Sequence, residues 1–495
     1  MTTQNQPIIT LLGLGPGDPQ LLTREAWDVI QSAQEIHLRT RQHPAIADFP
    51  AGLAVHSFDA LYEQSDSFET VYTRIVEQVL ELGMRPQGVI YAVPGHPFIA
   101  EATGPEIVRR ATELGGSVRV LSGISFLEAV YAALGLDPFP RASLMDAFDL
   151  SGRHVPPFPP DVPVLVAQIH SRQMASEVKL TLMSVYSDTH PVKLVHAAGT
   201  ARELVEALPL YEMDRSPHIG LLTSLYVPPL GEYSSIESFM DIVARLRAPD
   251  GCPWDREQTH LSLREHLLEE TYEVLEALDA EEMPALGEEL GDLLFQVVFH
   301  AQIASENGDF DFAGVVRGIA EKLVRRHPHV FGEVSVSGVD DMLKNWERIK
   351  AAERAGKGQV EQASILNGVL GSLPALAQAS ALQRKAAGVG FDWPDVDGVL
   401  AKLVEEVGEF TQAVESERES ELGDVLFVLA HLANWYGINP EDALRGANLR
   451  FRARFGYVEA AAARTGKKVS DFSLDELNGF WDQAKARERG LPESE

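Results

Sequence analysis

The alternation of apolar and polar positions changes character once along this chain. Between residues 8 and 230, short β-rich runs alternate with stretches of helical period: IITLLGLG leads into LTREAWDVIQSA, GVIYAVPG into IAEATGPEIVRRATEL, and SVRVLSG into SFLEAVYAAL. Strand runs that feed helices predict an α/β unit with a largely parallel sheet. The Pro-rich HVPPFPPDVP at 154–163 is expected to join two lobes, with VPVLVAQI and PVKLVHAAGT reading as strands beyond it. LYVPPLGEYSS at 225–235 reads as a linker, and from about residue 236 apolar residues recur at helical spacing instead. A polar connector, AAERAGKGQVEQAS at 351–364, divides the helical region.

The two halves so divided are internal repeats. An E-E-x-x-E cluster, Glu269, Glu270 and Glu273, returns as Glu405, Glu406 and Glu409, and the tetrad E-L-G-D at 289–292 returns at 421–424. Further on, EKLVRRHPHVF pairs with NLRFRARFGYV, aligning Lys322 with Arg450 and Arg326 with Arg454. Last, MLKNWERIKAAER pairs with ELNGFWDQAKARER, aligning Trp346 with Trp481. The order is kept throughout. Three domains are expected: 1–230, 236–355 and 365–490.

The repeated acids interrupt apolar helix. On a helix of about 100° per residue, positions 405, 406 and 409 fall within an arc of about 100°. Glu421 and Asp424 share one face of the following helix, and a hairpin through TQAVESERES turns the two faces together. Five carboxylates near a bundle interior need compensating positive charge, because burial and mutual repulsion both oppose their ionisation. Hard divalent cations such as Mg²⁺ suit an all-oxygen donor set and bridge to phosphates. A carboxylate di-iron bundle would need Glu-x-x-His pairs, whereas Glu406 and Glu270 are followed at the third position by Glu409 and Glu273. One such cluster alone would read as a solvated face, as Glu415, Glu417 and Glu419 do; the duplication argues for a site.

Composition narrows the setting. The formal net charge of −31 argues against nucleic acid as a main partner, and the basic RFRARF at 450–455 reads as a helix face serving a small site. Cys252 is the single cysteine, which excludes an internal disulfide framework. MTTQNQP lacks the pattern of a signal peptide and no apolar run reaches membrane-spanning length, so a cytoplasmic location without a membrane partner is expected.

Residues 236–490 resemble the MazG nucleoside triphosphate pyrophosphohydrolases, of the all-α NTP pyrophosphatase superfamily. The resemblance is carried by RLRAPDGCPWDREQT, LLEETYEVLEAL, EELGDLLFQVVFHA, RRHPHVF, LQRKAAGVGFDW, ELGDVLF and NLRFRARF. It implies helical bundles assembled as a homodimer, and Mg²⁺-dependent conversion of NTPs or dNTPs to NMPs or dNMPs and pyrophosphate. Carried over, Glu405, Glu406, Glu409, Glu421 and Asp424 would hold Mg²⁺ and orient water, while Lys402, Arg450 and Arg454 would neutralise phosphate. Trp481 would stack on base or ribose, or serve as a core tryptophan. The first repeat keeps Glu269, Glu270, Glu273, Glu289, Asp292, Lys322, Arg326 and Trp346, but has His266 where the second has Lys402. The second repeat is therefore expected to be the active one. Gly388 departs from the lysine often found before VGFDW.

The N-terminal motifs follow the same logic. GLGPGDPQLLT at 13–23, with Gly13, Gly15, Pro16 and Gly17, makes a tight turn between strand and helix and does not spell a dinucleotide-binding G-x-G-x-x-G. With Pro94, Gly95 and His96 in VPGHPFIAE, and Ser122 and Gly123 in LSGISFLEAVYAALGLDPF, it resembles the tetrapyrrole methylase superfamily. That resemblance implies a two-lobed α/β fold binding S-adenosylmethionine, with an unidentified methyl acceptor. Many members have Gly-Asp-Pro where this chain has Gly95-His96-Pro97, so His96 is either a substrate contact or a loop-structuring residue. The order of the halves resembles the bacterial YabN-type fusion proteins. The rival expectation makes methyl transfer the main activity, with the helical half dimerising or sensing nucleotide. A third has both halves binding ligands without catalysis.

Overall fold

The computed structural model describes residues 6–64, 67–356 and 364–489. The chain divides into two compact units, residues 1–257 and 258–495.

The first unit contains two five-stranded sheets. Strands β1 (Ile8–Gly13), β2 (Glu35–Leu38), β3 (Ala54–Ser57), β4 (Val89–Val93) and β5 (Ser117–Leu121) form a sheet of order β3-β2-β4-β1-β5. All its pairings are parallel, as the strand–helix alternation predicts. Helices α1 (Arg24–Ser32), α2 (Phe68–Gly83) and α3 (Thr103–Glu113) connect these strands. One apolar cluster runs through Ile9, Leu11, Ile75, Val79, Tyr91 and Ile107, and a second through Leu12, Leu14, Ile30, Ile36 and Leu38. Buried positions therefore face both sides of the sheet, which accounts for strands that read as continuous apolar runs.

After α4 (Phe126–Leu134), strands β6 (Ser143–Asp146), β7 (Val164–Ala167), β8 (Pro191–His196), β9 (Leu204–Pro209) and β10 (Thr223–Val227) form the second sheet, of order β6-β7-β10-β8-β9. Helix α5 (Arg172–Leu182) packs over it through Met174, Ala175, Val178 and Leu182. Three expectations are corrected here. Only β6 and β7 pair in parallel; the other pairings are antiparallel, because β8, β9 and β10 follow one another without long crossover helices. The lobes also join before β6, within residues 135–142, so the Pro-rich 154–163 connects β6 to β7 inside the second lobe. The expected linker at 225–235 begins inside β10. Helix α6 (Ile236–Arg247) closes this unit's main elements.

The second unit is helical. Its first half comprises α7 (Arg264–Asp279), α8 (Met283–Asn307), α9 (Phe312–Arg326) and α10 (Val339–Gly356). Its second half comprises α11 (Ala375–Ala387), α12 (Val396–Gln412), α13 (Arg418–Trp435), α14 (Pro440–Arg464) and α15 (Leu474–Glu488). The connector expected at 351–364 continues α10 to Gly356, and 357–363 lie outside the described residues. Arg445 of α14 reaches Asp279 of α7 at 2.7 Å, tying the halves together. Many large apolar side chains stay exposed in this unit, among them Tyr272, Leu294, Phe391, Val404, Phe427 and Phe451. No helix among the described residues is long and apolar enough to cross a membrane.

Candidate functional site

The carboxylates converge because of how their helices are built. Asp395 caps α12 by accepting from the Gly398 amide, and along α12 the buried positions are Val399 and Glu406, seven residues apart. Seven residues are nearly two turns, so Glu406 occupies the stripe that faces the neighbouring helix. The loop at 413–417 then reverses the chain into α13, where Glu421 and Asp424 share the stripe that continues through buried Val428 and His431. Carboxylate oxygens of Glu406, Glu421 and Asp424 lie within 4.8 Å of one another. Glu415, Glu417 and Glu419 are exposed.

Lys402 sits against this group. Its Nζ lies 2.7 Å from Glu406 and 2.8 Å from Glu405, one turn along α12. Hydrogen bonds to Glu405 and Glu406 hold its pKa well above the ordinary lysine range. Glu409 stands beside the close trio, its pKa raised by burial and then by the charge of Glu406, with Lys402 opposing.

The first repeat builds the same hairpin from α7 and α8. Oxygens of Glu270, Glu273 and Glu289 come within 4.8 Å of one another. Burial and then the charge of Asp292 raise the pKa of Glu270, and burial and then Glu273 raise that of Glu289. Where the second repeat has its lysine, His266 lies 3.6 Å from Glu269. Both donor sets are all oxygen, acidic and crowded, which suits a hard divalent cation such as Mg²⁺. A third grouping, Glu35, His37 and His56 on β2 and β3, differs because Glu35 already has Arg85 at 2.5 Å.

The downstream cations form a separate constellation. Arg454 of α14 donates from Nε at 2.9 Å and Nη2 at 2.6 Å to one oxygen of Glu488 on α15, and its guanidinium lies 5.7 Å from the Trp481 ring centre. Trp481 also packs on Phe451. In the first repeat Arg326 pairs with Glu353 at 2.7 Å, and Lys350 lies over Trp346 at 3.9 Å. Lys322 is half-buried, while Arg450 is exposed and makes no ion pair among the described residues. No hydrogen bond among the described residues joins Arg450, Arg454 or Trp481 to the carboxylate trio. Glu353 and Glu488 escaped the sequence reading, although aligning Trp346 with Trp481 also aligns these two acids.

In the first unit, the three glycine motifs meet at the carboxyl ends of adjacent parallel strands, the usual ligand position in such sheets. Gly15 and Gly95 exchange backbone hydrogen bonds of 3.2 and 2.8 Å. A Cβ on Gly13 would stand 2.5 Å from the Gly95 oxygen and the Gly123 nitrogen, and one on Gly123 only 2.2 Å from the Gly95 oxygen. Pro16, Gly17, Pro94 and Ser122 flank these contacts, and buried His43 bonds the Gly15 oxygen at 3.0 Å. His96 Nδ1 accepts from the Phe98 amide at 3.1 Å, so it orders its own loop. Behind that loop Glu101 accepts from the Arg39 guanidinium and the Thr103 amide.

Comparison with known proteins matches both halves. Residues 9–214 match the Tetrapyrrole (Corrin/Porphyrin) Methylases, and residues 258–331 and 396–456 match the MazG nucleotide pyrophosphohydrolase domain. The Bacillus subtilis (strain 168) protein YabN, described as uncharacterized, is 41% identical over 97% of this chain and 99% of its own length. The nucleoside triphosphate pyrophosphohydrolase of Escherichia coli (strain K12) is 44% identical over 52% of this chain and 100% of its own length. The nucleoside triphosphate pyrophosphohydrolase/pyrophosphatase MazG of Thermotoga maritima is 42% identical over 50% of this chain and 95% of its own.

Proposed function

The chain belongs to the YabN family, in which a tetrapyrrole methylase domain is fused to MazG pyrophosphohydrolase segments, and from that premise we propose that it hydrolyses nucleoside triphosphates at the α-phosphate. The observation that carries the reading is the Lys402–Glu406–Glu421–Asp424 cluster, three crowded carboxylates with one lysine against them. Glu406, Glu421 and Asp424, with Glu409 beside them, would hold Mg²⁺, which supplies Lewis acidity at the α-phosphorus. Lys402 exchanges its carboxylate partners for a phosphate oxygen when the substrate enters, and exposed Glu405, released from it, orients the attacking water. Arg450 and Arg454 take the charge of the outer phosphates, with Trp481 beside Arg454 as a stacking surface. Water adds to the α-phosphorus, the α–β bridging P–O bond breaks, and pyrophosphate leaves from the nucleoside monophosphate.

The first repeat keeps its acids but lacks the lysine, so the second repeat carries the turnover. The exposed apolar side chains of the helical unit suit a homodimer. The test is pyrophosphate and monophosphate release from a panel of NTPs and dNTPs with Mg²⁺, comparing Glu406→Gln with Glu270→Gln. Loss of turnover in the first variant and its retention in the second is expected; an unaffected Glu406→Gln enzyme would sink the assignment.

A second binding activity is supported by the glycine contacts of the first unit. S-adenosylmethionine would lie against the backbone of Gly13, Gly15, Gly95 and Gly123, where side chains are excluded. Calorimetry with S-adenosylmethionine should give saturable binding; no heat of binding to wild-type protein would remove this half of the reading.

A further inference from the structure

One edge of the first sheet carries a cluster that neither the glycine motifs nor the acid hairpins use. On β2 the sequence Glu35-Ile36-His37 puts Glu35 and His37 on the same face, because side chains alternate along a strand. On the edge strand β3, His56 stands beside His37 in the parallel register. One ligand atom each from Glu35, His37 and His56 comes within 4.8 Å of the others, and the two imidazoles stack with 4.8 Å between their centres. Glu35 opens β2, and Arg85 and Gly88 precede β4. The group therefore lies toward the amino ends of these strands, away from the glycine contacts at the carboxyl ends.

Its surroundings are half apolar and half open. His37 is 9% exposed, and its Nε2 is buried without a hydrogen-bond partner among the described residues. Phe58 packs 6.1 Å from the same ring, and fully buried Tyr91 is its register partner on β4. Burial first, and then the charge of His56, lower the pKa of His37, so near pH 7 the ring is neutral and has a lone pair to give. His56 is exposed, which opens the cluster to solvent on that side. Arg85 donates from Nη2 to Glu35 Oε1 at 2.5 Å, and is itself fixed by donating to the Leu82 carbonyl at 3.0 Å and the Gly88 carbonyl at 3.1 Å. One carboxylate oxygen is thus held in place, and outer hydrogen bonds of this kind are what orient metal-binding side chains.

The donors select the ion. Two imidazole nitrogens and one carboxylate oxygen make a three-ligand zinc set, with the fourth place left to water. The fixed guanidinium of Arg85 opposes ions held by charge alone, such as Mg²⁺ and Ca²⁺, whereas imidazole nitrogen favours Zn²⁺. Ligand atoms around a tetrahedral zinc ion are roughly 3.4 Å apart, so rotation of the exposed His56 side chain closes the set.

We propose that Glu35, His37 and His56 bind one Zn²⁺ ion, with Arg85 orienting the carboxylate. The ion ties β3, an edge strand of four residues, to β2 and so to the rest of the sheet. Neither nucleotide turnover nor S-adenosylmethionine binding is required for it.

The experiment titrates metal-free, full-length protein with ZnCl₂ by calorimetry, in millimolar MgCl₂ to occupy the acid hairpins. Wild type is compared with His56→Ala and Glu35→Gln, and zinc-edge X-ray absorption at one equivalent reads the ligands. His56→Ala removes an exposed side chain, and melting temperatures without zinc confirm that it folds. The expected result is a tight site in wild type with two imidazoles on the ion, weakened by about tenfold or more in both variants. Zinc should also raise the melting temperature of wild type, and raise that of His56→Ala less. Absence of zinc binding by wild type, affinity within about twofold of wild type in folded His56→Ala, or an ion surrounded by oxygen alone overturns the assignment.

Discussion

The carboxylate trio makes a prediction that a merely solvated acidic face would not. Glu421 is half-buried, and its oxygens lie within 4.8 Å of those of Glu406 and Asp424. Glu406 has Lys402 at 2.7 Å, whereas Glu421 has no ion-pair partner among the described residues. Two unit charges at 4.8 Å repel by roughly 1 to 3.5 kcal/mol for effective dielectric constants between 80 and 20. Replacing Glu421 by Gln removes two of the three repulsions and keeps the Lys402–Glu406 pair. Carboxylates that can rotate apart relieve part of the strain, so a net gain of about 1 to 2 kcal/mol is expected in metal-free protein. For a unit of this size that raises the melting temperature by roughly 2 to 8 °C. On the proposed reading the same change removes a metal ligand, so it should abolish NTP turnover and cut the melting-temperature rise on adding Mg²⁺ to the part that the acids of the first repeat contribute. Differential scanning calorimetry in EDTA and in millimolar Mg²⁺, beside a pyrophosphate-release assay, reads all three. A Glu421→Gln protein that melts lower than wild type in EDTA, or whose Mg²⁺-dependent rise is undiminished, refutes the reasoning.

Three further outcomes follow from the same geometry. Glu270, Glu289 and Glu409 have folded pKa values raised, by burial first, so the folded state binds more protons between their ordinary and raised values. Stability of the metal-free protein should therefore rise as pH falls from neutrality toward the ordinary carboxylate range, then fall below it as Glu353 and Glu476, held low by hydrogen bonds, protonate. Thermal melts from pH 7.5 to 3.5 with and without Mg²⁺ check this, and the cation should flatten the neutral side. On the proposed reading Arg454 binds ground and transition states alike, so Glu488→Gln, which loosens it, should raise KM severalfold with kcat nearly unchanged in steady-state kinetics. Gly388 has φ −61° and ψ −16°, and an added Cβ would make only ordinary contacts at 3.5 Å, so Gly388→Lys should fold normally and lower KM; an unchanged KM shows that no phosphate contact is missing there.

Much of this was legible in the chain because the signals were redundant. The helical unit announced itself through spacing, and Glu406 through duplication, since an acid on an apolar stripe twice at matching positions is poorly explained by solvation. Lys402 beside Glu405 and Glu406 follows from three- and four-residue helix spacing alone. What stayed hidden was strand direction and partnership. Strand β9 is largely exposed, so its apolar pattern is weak, and β6 has only four residues. Neither carries the long periodic signal that marks a helix, and antiparallel pairing is decided by connections that periodicity does not encode. The Pro-rich stretch after β6 drew the lobe boundary to itself although β6 already belongs to the second sheet. Contacts between distant helices, such as Arg454 with Glu488 and His431 with Asp392, required the fold.

The difference between the repeats bears on why two are kept. Both hairpins bring three carboxylates within 4.8 Å of one another, so the capacity to hold a cation does not separate them. Two other positions do, and they lie at different places on the hairpin. The lysine whose ammonium lies against Glu405 and Glu406 in the second copy is His266 in the first, 3.6 Å from Glu269. The polar residue two turns beyond the acids is His431 in the second copy and buried Phe299 in the first. One change takes a lysine from beside the acids, and the other puts an apolar side chain where the second copy has a polar one. Neither change forces the other, because the two positions stand on different helices of the hairpin. Their coincidence leaves the first copy with the crowded acids of the hairpin but without the lysine and the polar position that accompany them in the second.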